Sequence, residues 1–168
     1  NRSRFSMRLL SQRLKREGFD TLLIGYPSTR CSLEELSAFV RGEIIRRAPL
    51  EGTPLHFVTH SLGGIILRHI MRFSPLTDFG RALLLAPPDH GSEAADCLGR
   101  FRLARLAFGP VLRQLGTDPD TGPASLGPAD FSPGVIAGNR SLMPWFALLF
   151  HGSNDGLVSV ESAKLEGM

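Results

Sequence analysis

A strand pattern changes abruptly to a helix pattern within one short segment of this chain. Residues 55–66 read LHFVTHSLGGII, so an apolar run of strand length is followed by a second apolar run with no polar loop between them. This pattern predicts a buried strand that turns directly into a helix, with Ser61 at the bend. Such a turn leaves little room, and the residues flanking the serine must be small, as Gly63 and Gly64 are.

The predicted bend would give Ser61 the environment of a catalytic nucleophile. A tight strand-to-helix turn lifts the serine hydroxyl clear of the sheet, at the N-terminal end of the following helix. There the helix dipole and the N–H of Leu62 can hold an oxyanion. The usual pattern for such a turn is G-x-S-x-G, and Thr59 stands in place of the first glycine. The alternative interpretation is that Ser61 only caps the N-terminus of a buried helix.

This motif and its setting resemble those of the α/β-hydrolase superfamily, and most closely its bacterial lipases and esterases with H-S-[LM]-G-G turns. Residues 60–64 read HSLGG, and residues 88–92 read PDHGS, which resembles the P-H-x-G-S loop after the next strand in bacterial lipases. The resemblance covers nearly the whole chain. It implies a serine hydrolase that cleaves carboxylic esters, either lipid-like or short acyl esters, through a Ser-His-Asp triad.

The order of periodic segments predicts the fold class. Helix and strand patterns alternate along the first half of the chain, over residues 3–17, 21–25, 33–47, 55–59, 62–73 and 81–86. A capping box, in which Ser32 is followed by Glu35, marks the start of the second helix. Such alternation predicts an α/β domain: a three-layer α/β/α sandwich around a mostly parallel sheet, with its ligand site beyond the C-terminal ends of the strands. With the resemblance, we expect one incomplete α/β-hydrolase domain spanning residues 1–168.

Residues 87–133 interrupt this alternation. A helix pattern covers about 94–108, and glycines and prolines are frequent among the aspartates of 116–134. We expect a lid-like excursion over the C-terminal strand edge rather than a second domain, because long insertions of this kind are often binding loops. A short strand is expected over 133–138, whereas the apolar run 145–150 does not distinguish a strand from apolar lining near the site.

The resemblance also implies the position of the triad acid. In α/β-hydrolases an aspartate in a D-x-x-V loop after a late strand orients the catalytic histidine, and residues 155–158 match that loop. The order of nucleophile first and acid later is the one that this superfamily uses. We therefore assign Asp155 as the acid, with Asp89 as the second candidate. The alternative for Asp155 is a simple hairpin turn, which Asn-Asp-Gly favours.

A catalytic base is not evident in this chain. No histidine follows Asp155, and His90 is the internal histidine that we would test. A serine hydroxyl is a poor nucleophile without a base to accept its proton. Related sequences continue to a histidine and begin with a loop that completes the oxyanion hole, so we expect a chain trimmed at both ends and inactive alone. The alternatives are a binding protein that has lost the base, and an acyltransferase with the same triad.

Composition and motifs exclude several other classes of protein. The arginines that give the net charge of +3 are spread along the chain, and nucleic-acid binding would need them clustered. No phosphate-binding loop or dinucleotide fingerprint is present, and no cofactor or metal is expected. No apolar run approaches the roughly 20 residues that span a bilayer, although transient contact with lipid stays open. Oligomeric state and the pairing of Cys31 with Cys97 are not determined by the sequence.

Overall fold

The computed structural model describes residues 7–48, 52–102, 109–141, 150, 152–166 and 168. Within these residues, four α-helices and three strands form the frame. In chain order the elements are α1 (Arg8–Arg16), α2 (Leu33–Arg47), β1 (Leu55–His60), α3 (Leu62–Phe73), β2 (Phe79–Leu85), α4 (Glu93–Gly99) and β3 (Pro133–Ile136). Two 3₁₀ helices, Pro110–Leu115 and Pro123–Leu126, lie between α4 and β3. No helix of the described residues is both long and apolar enough to cross a membrane.

The three strands form one parallel sheet in the order β1-β2-β3. Their C-terminal ends are level with one another, since His60 pairs with Leu85 and Leu85 pairs with Ile136. We call this edge, with the residues that follow each strand, the C-terminal rim. A parallel sheet joined by helices is the predicted α/β architecture, and the rim is the edge at which such sheets bind ligands.

Helix α2 begins where the capping box predicts. The Ser32 hydroxyl accepts a hydrogen bond from the Glu35 N–H at 3.3 Å, and the Glu35 carboxylate accepts one from the Ser32 N–H at 2.8 Å. These bonds satisfy two donors that the first turn of a helix leaves without partners. The predicted boundaries of α2 and α3 are both confirmed.

Helix α3 is apolar on nearly every side because it lies between two parts of the core. Leu67 packs against Ala82 and Leu84 of β2. The opposite side of α3 contributes to a second cluster with α2 and both 3₁₀ helices: Leu33, Leu36, Ile65, Ile66, Ile70, Val111 and Leu126. Part of the excursion therefore belongs to the hydrophobic core. Its role as a lid stays a prediction.

Several sequence expectations differ from the structure. The strand expected over residues 21–25 is wrong, because this segment joins no ladder of the described sheet and leaves Leu22 38% exposed. An apolar run of strand length forms a strand only where a neighbouring strand can pair with it. Helix α4 ends at Gly99, and residues 103–108 lie outside the described residues. The 145–150 run also lies outside them, except for the buried Phe150.

Candidate active site

Ser61 occupies a strained turn between β1 and α3. Its backbone has φ 52° and ψ −124°, a conformation that residues with a Cβ rarely adopt. The Ser61 N–H donates to the carbonyl of Leu85 at 2.8 Å, so the strand ladder continues up to the bend. The side chain makes no capping hydrogen bond to α3. Ser61 is therefore the N-cap residue of α3 by position, but its side chain does not cap the helix.

Close packing restricts the side chain at position 64, whereas position 63 leaves room for ordinary van der Waals contact. A Cβ added to Gly64 would lie 3.2 Å from the Cβ of Pro87, in the loop after β2. Added to Gly63, it would lie 3.5 Å from both the Cβ of Thr59 and the hydroxyl of Tyr26. Helix α3 can therefore approach the neighbouring loop closely, which keeps the bend at Ser61 tight.

A second strained residue lies on the adjacent strand. Ala86, the residue after β2, has φ 45°, and its N–H donates to the carbonyl of Ile136 at 2.7 Å. Ser61 and Ala86 are the non-glycine residues with positive φ among those that the structure describes. Both lie on the C-terminal rim, and backbone strain of this kind is concentrated at functional sites in proteins.

The N-terminus of α3 provides an unpaired hydrogen-bond donor next to Ser61. Leu62 is the first residue of the helix, and the first N–H groups of a helix have no intrahelical acceptor. The Gly64 N–H instead donates back to the carbonyl of Ser61 at 2.9 Å. The Leu62 N–H and the positive end of the helix dipole are thus available to an anionic oxygen beside Ser61.

Asp155 lies on the same rim. Its Cβ is 2.8 Å from the position that a Cβ on Gly138 would occupy, and Gly138 follows β3 by two residues. Its Oδ1 accepts hydrogen bonds from the N–H groups of Leu157 and Val158, each at 2.8 Å. Asn154 and Ser159 form an antiparallel bridge, so the hairpin turn that was the alternative interpretation is present, and the two hydrogen bonds orient the carboxylate within it.

The second candidate acid, Asp89, is committed to another partner. It is buried, and its Oδ1 accepts a hydrogen bond from Nη1 of Arg68 at 2.8 Å. Burial raises the pKa of Asp89 to about 6, although the Arg68 guanidinium acts in the opposite direction. Its Oδ1 already has the Arg68 guanidinium as a cationic partner, whereas the acid of a triad has the histidine as its partner.

No histidine of the described residues hydrogen-bonds to Ser61 or Asp155. The His90 ring lies 3.4 Å from the carbonyl of Ser162, beside an open cleft of about 320 Å³ whose lining includes neither Ser61 nor Asp155. His56 accepts the N–H of Arg81 at 3.0 Å. Burial lowers the pKa of His69, whose ring packs on Phe73. His151 lies outside the described residues.

The described residues contain no cluster of metal ligands, but they do contain a buried ion pair that the sequence did not predict. Within the described parts of the chain, no three His, Cys, Asp or Glu side chains are grouped as metal ligands would be. The sequence analysis missed the Arg68–Asp89 pair. Its signal was a single arginine within the buried apolar run 65–70, because a charged residue in such a position needs a buried partner.

Comparison with solved structures identifies proteins of the same fold. The mature form of the Bacillus licheniformis lipase BlEst2 matches 98% of this chain with a TM-score of 0.70 and 19% identity. Its propeptide form matches 97% with a TM-score of 0.66 and 20% identity. The phospholipase PlaB from Legionella pneumophila, in complex with thio-NAD, matches 92% with a TM-score of 0.66 and 24% identity.

These likenesses confirm the predicted fold, an α/β-hydrolase fold. The chain spans 76% of the mature BlEst2 chain, but 41% of the propeptide form and 39% of PlaB. No protein-family model matches the sequence, and no curated protein matches it. At identities this low, activity and site residues have to be argued from the residues themselves.

Proposed function

We propose that this protein is a serine hydrolase of carboxylic esters, with Ser61 as nucleophile and Asp155 as the acid of a Ser-His-Asp triad. The observation that carries the proposal is the backbone of Ser61. Its strained φ and ψ cost folding free energy, its hydroxyl does not cap the helix, and it adjoins the free N–H of Leu62. A residue that only joined a strand to a helix would not need this conformation.

The position of Asp155 supports the proposed triad. Ser61 follows β1 and Gly138 follows β3, with β2 between them, so two strand spacings, about 10 Å, separate these parts of the rim. An imidazole that hydrogen-bonds to the serine on one side and to the carboxylate on the other fits a gap of this size. Asp155 would fix the tautomer of that histidine and stabilise its charged form.

The histidine is the component that we assign to sequence beyond residue 168. In the proposed reaction it takes the proton of Ser61 as the hydroxyl attacks the ester carbonyl, and the Leu62 N–H stabilises the resulting oxyanion. A further N–H from sequence preceding residue 1 would complete the oxyanion hole. Both names in the comparison, lipase and phospholipase, belong to enzymes that act on lipid esters, which favours a lipid-like or short acyl ester here.

The acid can be tested by an isosteric change. We expect Asp155→Asn, in the protein with its native flanking sequence, to lower kcat for p-nitrophenyl butyrate by about 10⁴-fold, because the amide cannot stabilise a charged imidazole. The Asn oxygen can still accept the N–H groups of Leu157 and Val158, so the turn should persist. Asp130→Asn, at an exposed aspartate shortly before β3 that pairs with Arg72 of α3, is the matched control and should retain activity. Equal activity in Asp155→Asn and the control would remove Asp155 from the triad.

A second candidate function is a binding protein that has kept the fold and lost the base. The specific observation in its favour is that no described histidine hydrogen-bonds to the side chain of Ser61 or Asp155. Ester hydrolysis that requires Ser61 in the longer protein would exclude this candidate. An acyltransferase would instead transfer the acyl group to an added alcohol in preference to water, which product analysis distinguishes.

A further inference from the structure

The Arg68–Asp89 pair is the most deeply buried ion pair among the described residues. Arg68 is 4% exposed and Asp89 is 2% exposed, and neither takes part in the proposed reaction. Arg68 lies on α3, the helix that begins next to Ser61, while Asp89 lies in the loop after β2. The pair therefore joins the helix of the proposed nucleophile to the neighbouring part of the rim.

Arg68 also holds the excursion. Its Nη1 donates to the carbonyl of Pro123 at 3.5 Å and its Nη2 donates to the carbonyl of Gly127, at either end of the second 3₁₀ helix. One guanidinium thus binds oxygens from two separate segments, and its rigid planar fork fixes their directions. One turn earlier on the same face of α3, Gly64 packs against Pro87 of the same loop.

The pair is poorly built as a stabilising interaction. Nε of Arg68 and Oδ2 of Asp89 are buried without a hydrogen-bond partner in the described residues. Desolvating two charges is expensive, and replacing a buried pair by well-packed apolar residues is often neutral or stabilising. Stability alone therefore does not explain why a charged residue lies within the apolar side of α3.

We propose that Arg68 and Asp89 are positioning residues, which hold the loop after β2 and the 123–127 turn in fixed register with the helix that begins at Ser61. The proposal rests on the proposed function for its effect on activity, but not for its effect on backbone order. An apolar replacement of the pair should therefore keep or increase the free energy of unfolding. The same replacement should disorder the loop after β2 and the 123–127 turn, and it should lower kcat.

The test compares two double variants on the same helix. Arg68→Met with Asp89→Leu removes the buried pair. Arg72→Met with Asp130→Leu removes the neighbouring pair, which also joins α3 to the excursion but is about half exposed, with a distance of 3.1 Å. Hydrogen exchange of the Gly91 and Gly127 amides reports on the two segments, because each donates to a nearby carbonyl at 3.0 Å.

We expect exchange at both amides to be about tenfold faster in the buried-pair variant than in the control pair variant. In the protein with its native flanking sequence, kcat for p-nitrophenyl butyrate should fall by about 10²-fold with KM little changed, since small displacements of reacting groups have costs of this size. Unchanged exchange would overturn the proposal. So would faster exchange together with the kcat of the control.

Arg68→Lys keeps the proposal testable if the double variant does not fold. A lysine retains a charge beside Asp89 but cannot reach both carbonyls, so exchange should rise at Gly127 and stay low at Gly91. Slow exchange at Gly127 in Arg68→Lys would contradict the proposal. If the wild-type protein shows no esterase activity, the proposed function fails. Hydrogen exchange at the Gly91 and Gly127 amides then decides alone whether the pair fixes the two segments relative to α3.

Discussion

Ser61 combines a folding cost with the proposed chemistry in one residue. Its Cβ makes φ 52° unfavourable, and strain of this kind costs about 1–3 kcal/mol. The cost is met because the ladder bond to Leu85 on one side and α3 on the other define the backbone around it. Thr59 could be predicted to crowd this turn, but only the structure shows its hydroxyl buried without a partner among the described residues.

The strain predicts a stability difference between two variants that both lack the Ser61 hydroxyl. The free energy of unfolding of Ser61→Gly should exceed that of Ser61→Ala by about 1 kcal/mol. Glycine adopts positive φ without a steric penalty, whereas alanine keeps the Cβ. Equilibrium unfolding in urea, followed by circular dichroism, measures the difference. Equal stabilities, or a more stable alanine variant, would mean that the bend is not strained.

At the scale of elements, the local signals in the sequence were sufficient for α2, β1 and α3. The Ser32 and Glu35 pair determines the start of α2, and the short distance from apolar strand to glycines determines the start of α3. The same reasoning failed over residues 21–25, because strand formation depends on a partner that local sequence does not specify. The contacts of the excursion with α2 could not be predicted either, since Gln114 accepts the Leu33 N–H from 81 residues away.

The capping box gives a prediction at this scale. Ser32→Ala should lower the free energy of unfolding by about 1 kcal/mol, because the Glu35 N–H loses its acceptor in the first turn of α2. Ser32→Asp, which keeps an acceptor at the cap, is the control and should stay near wild type. Urea unfolding checks both variants, and a fully stable alanine variant would contradict the importance of the cap.

Across the whole molecule, the sheet brings together residues that lie far apart in the chain. Ser61 follows β1, and Asp155 packs against Gly138, two residues after β3, so both lie at the C-terminal rim that the sequence motifs predict for the site. The pairing of Asp89 with Arg68 could not be predicted in the same way. The loop that carries Asp89 follows β2 and so also lies at the rim, as the loop of Asp155 does. Only the burial and the geometry of the pair distinguish the two aspartates.

Asp89 also makes the stability of the molecule depend on pH. Burial raises its pKa from 3.8 to about 6 in the folded state, so between these values the folded protein binds a proton that the unfolded chain has released. This group's contribution to the free energy of unfolding therefore falls as the pH rises from about 4 to about 6. In Asp89→Asn we expect the free energy of unfolding to lack this decrease between pH about 4 and about 6, as measured by urea unfolding. Parallel pH profiles for the variant and wild type would contradict the assignment.

The most direct test of the central claim is to find which residue an active-site phosphonate modifies. A fluorophosphonate probe should add to the tryptic peptide of residues 48–68, at Ser61, in the protein with its native downstream sequence. The Ser61→Ala variant should remain unlabelled, and the 168-residue chain should label weakly or not at all. Labelling at another serine, or no labelling of the full native protein, would contradict the account of Ser61 as a nucleophile.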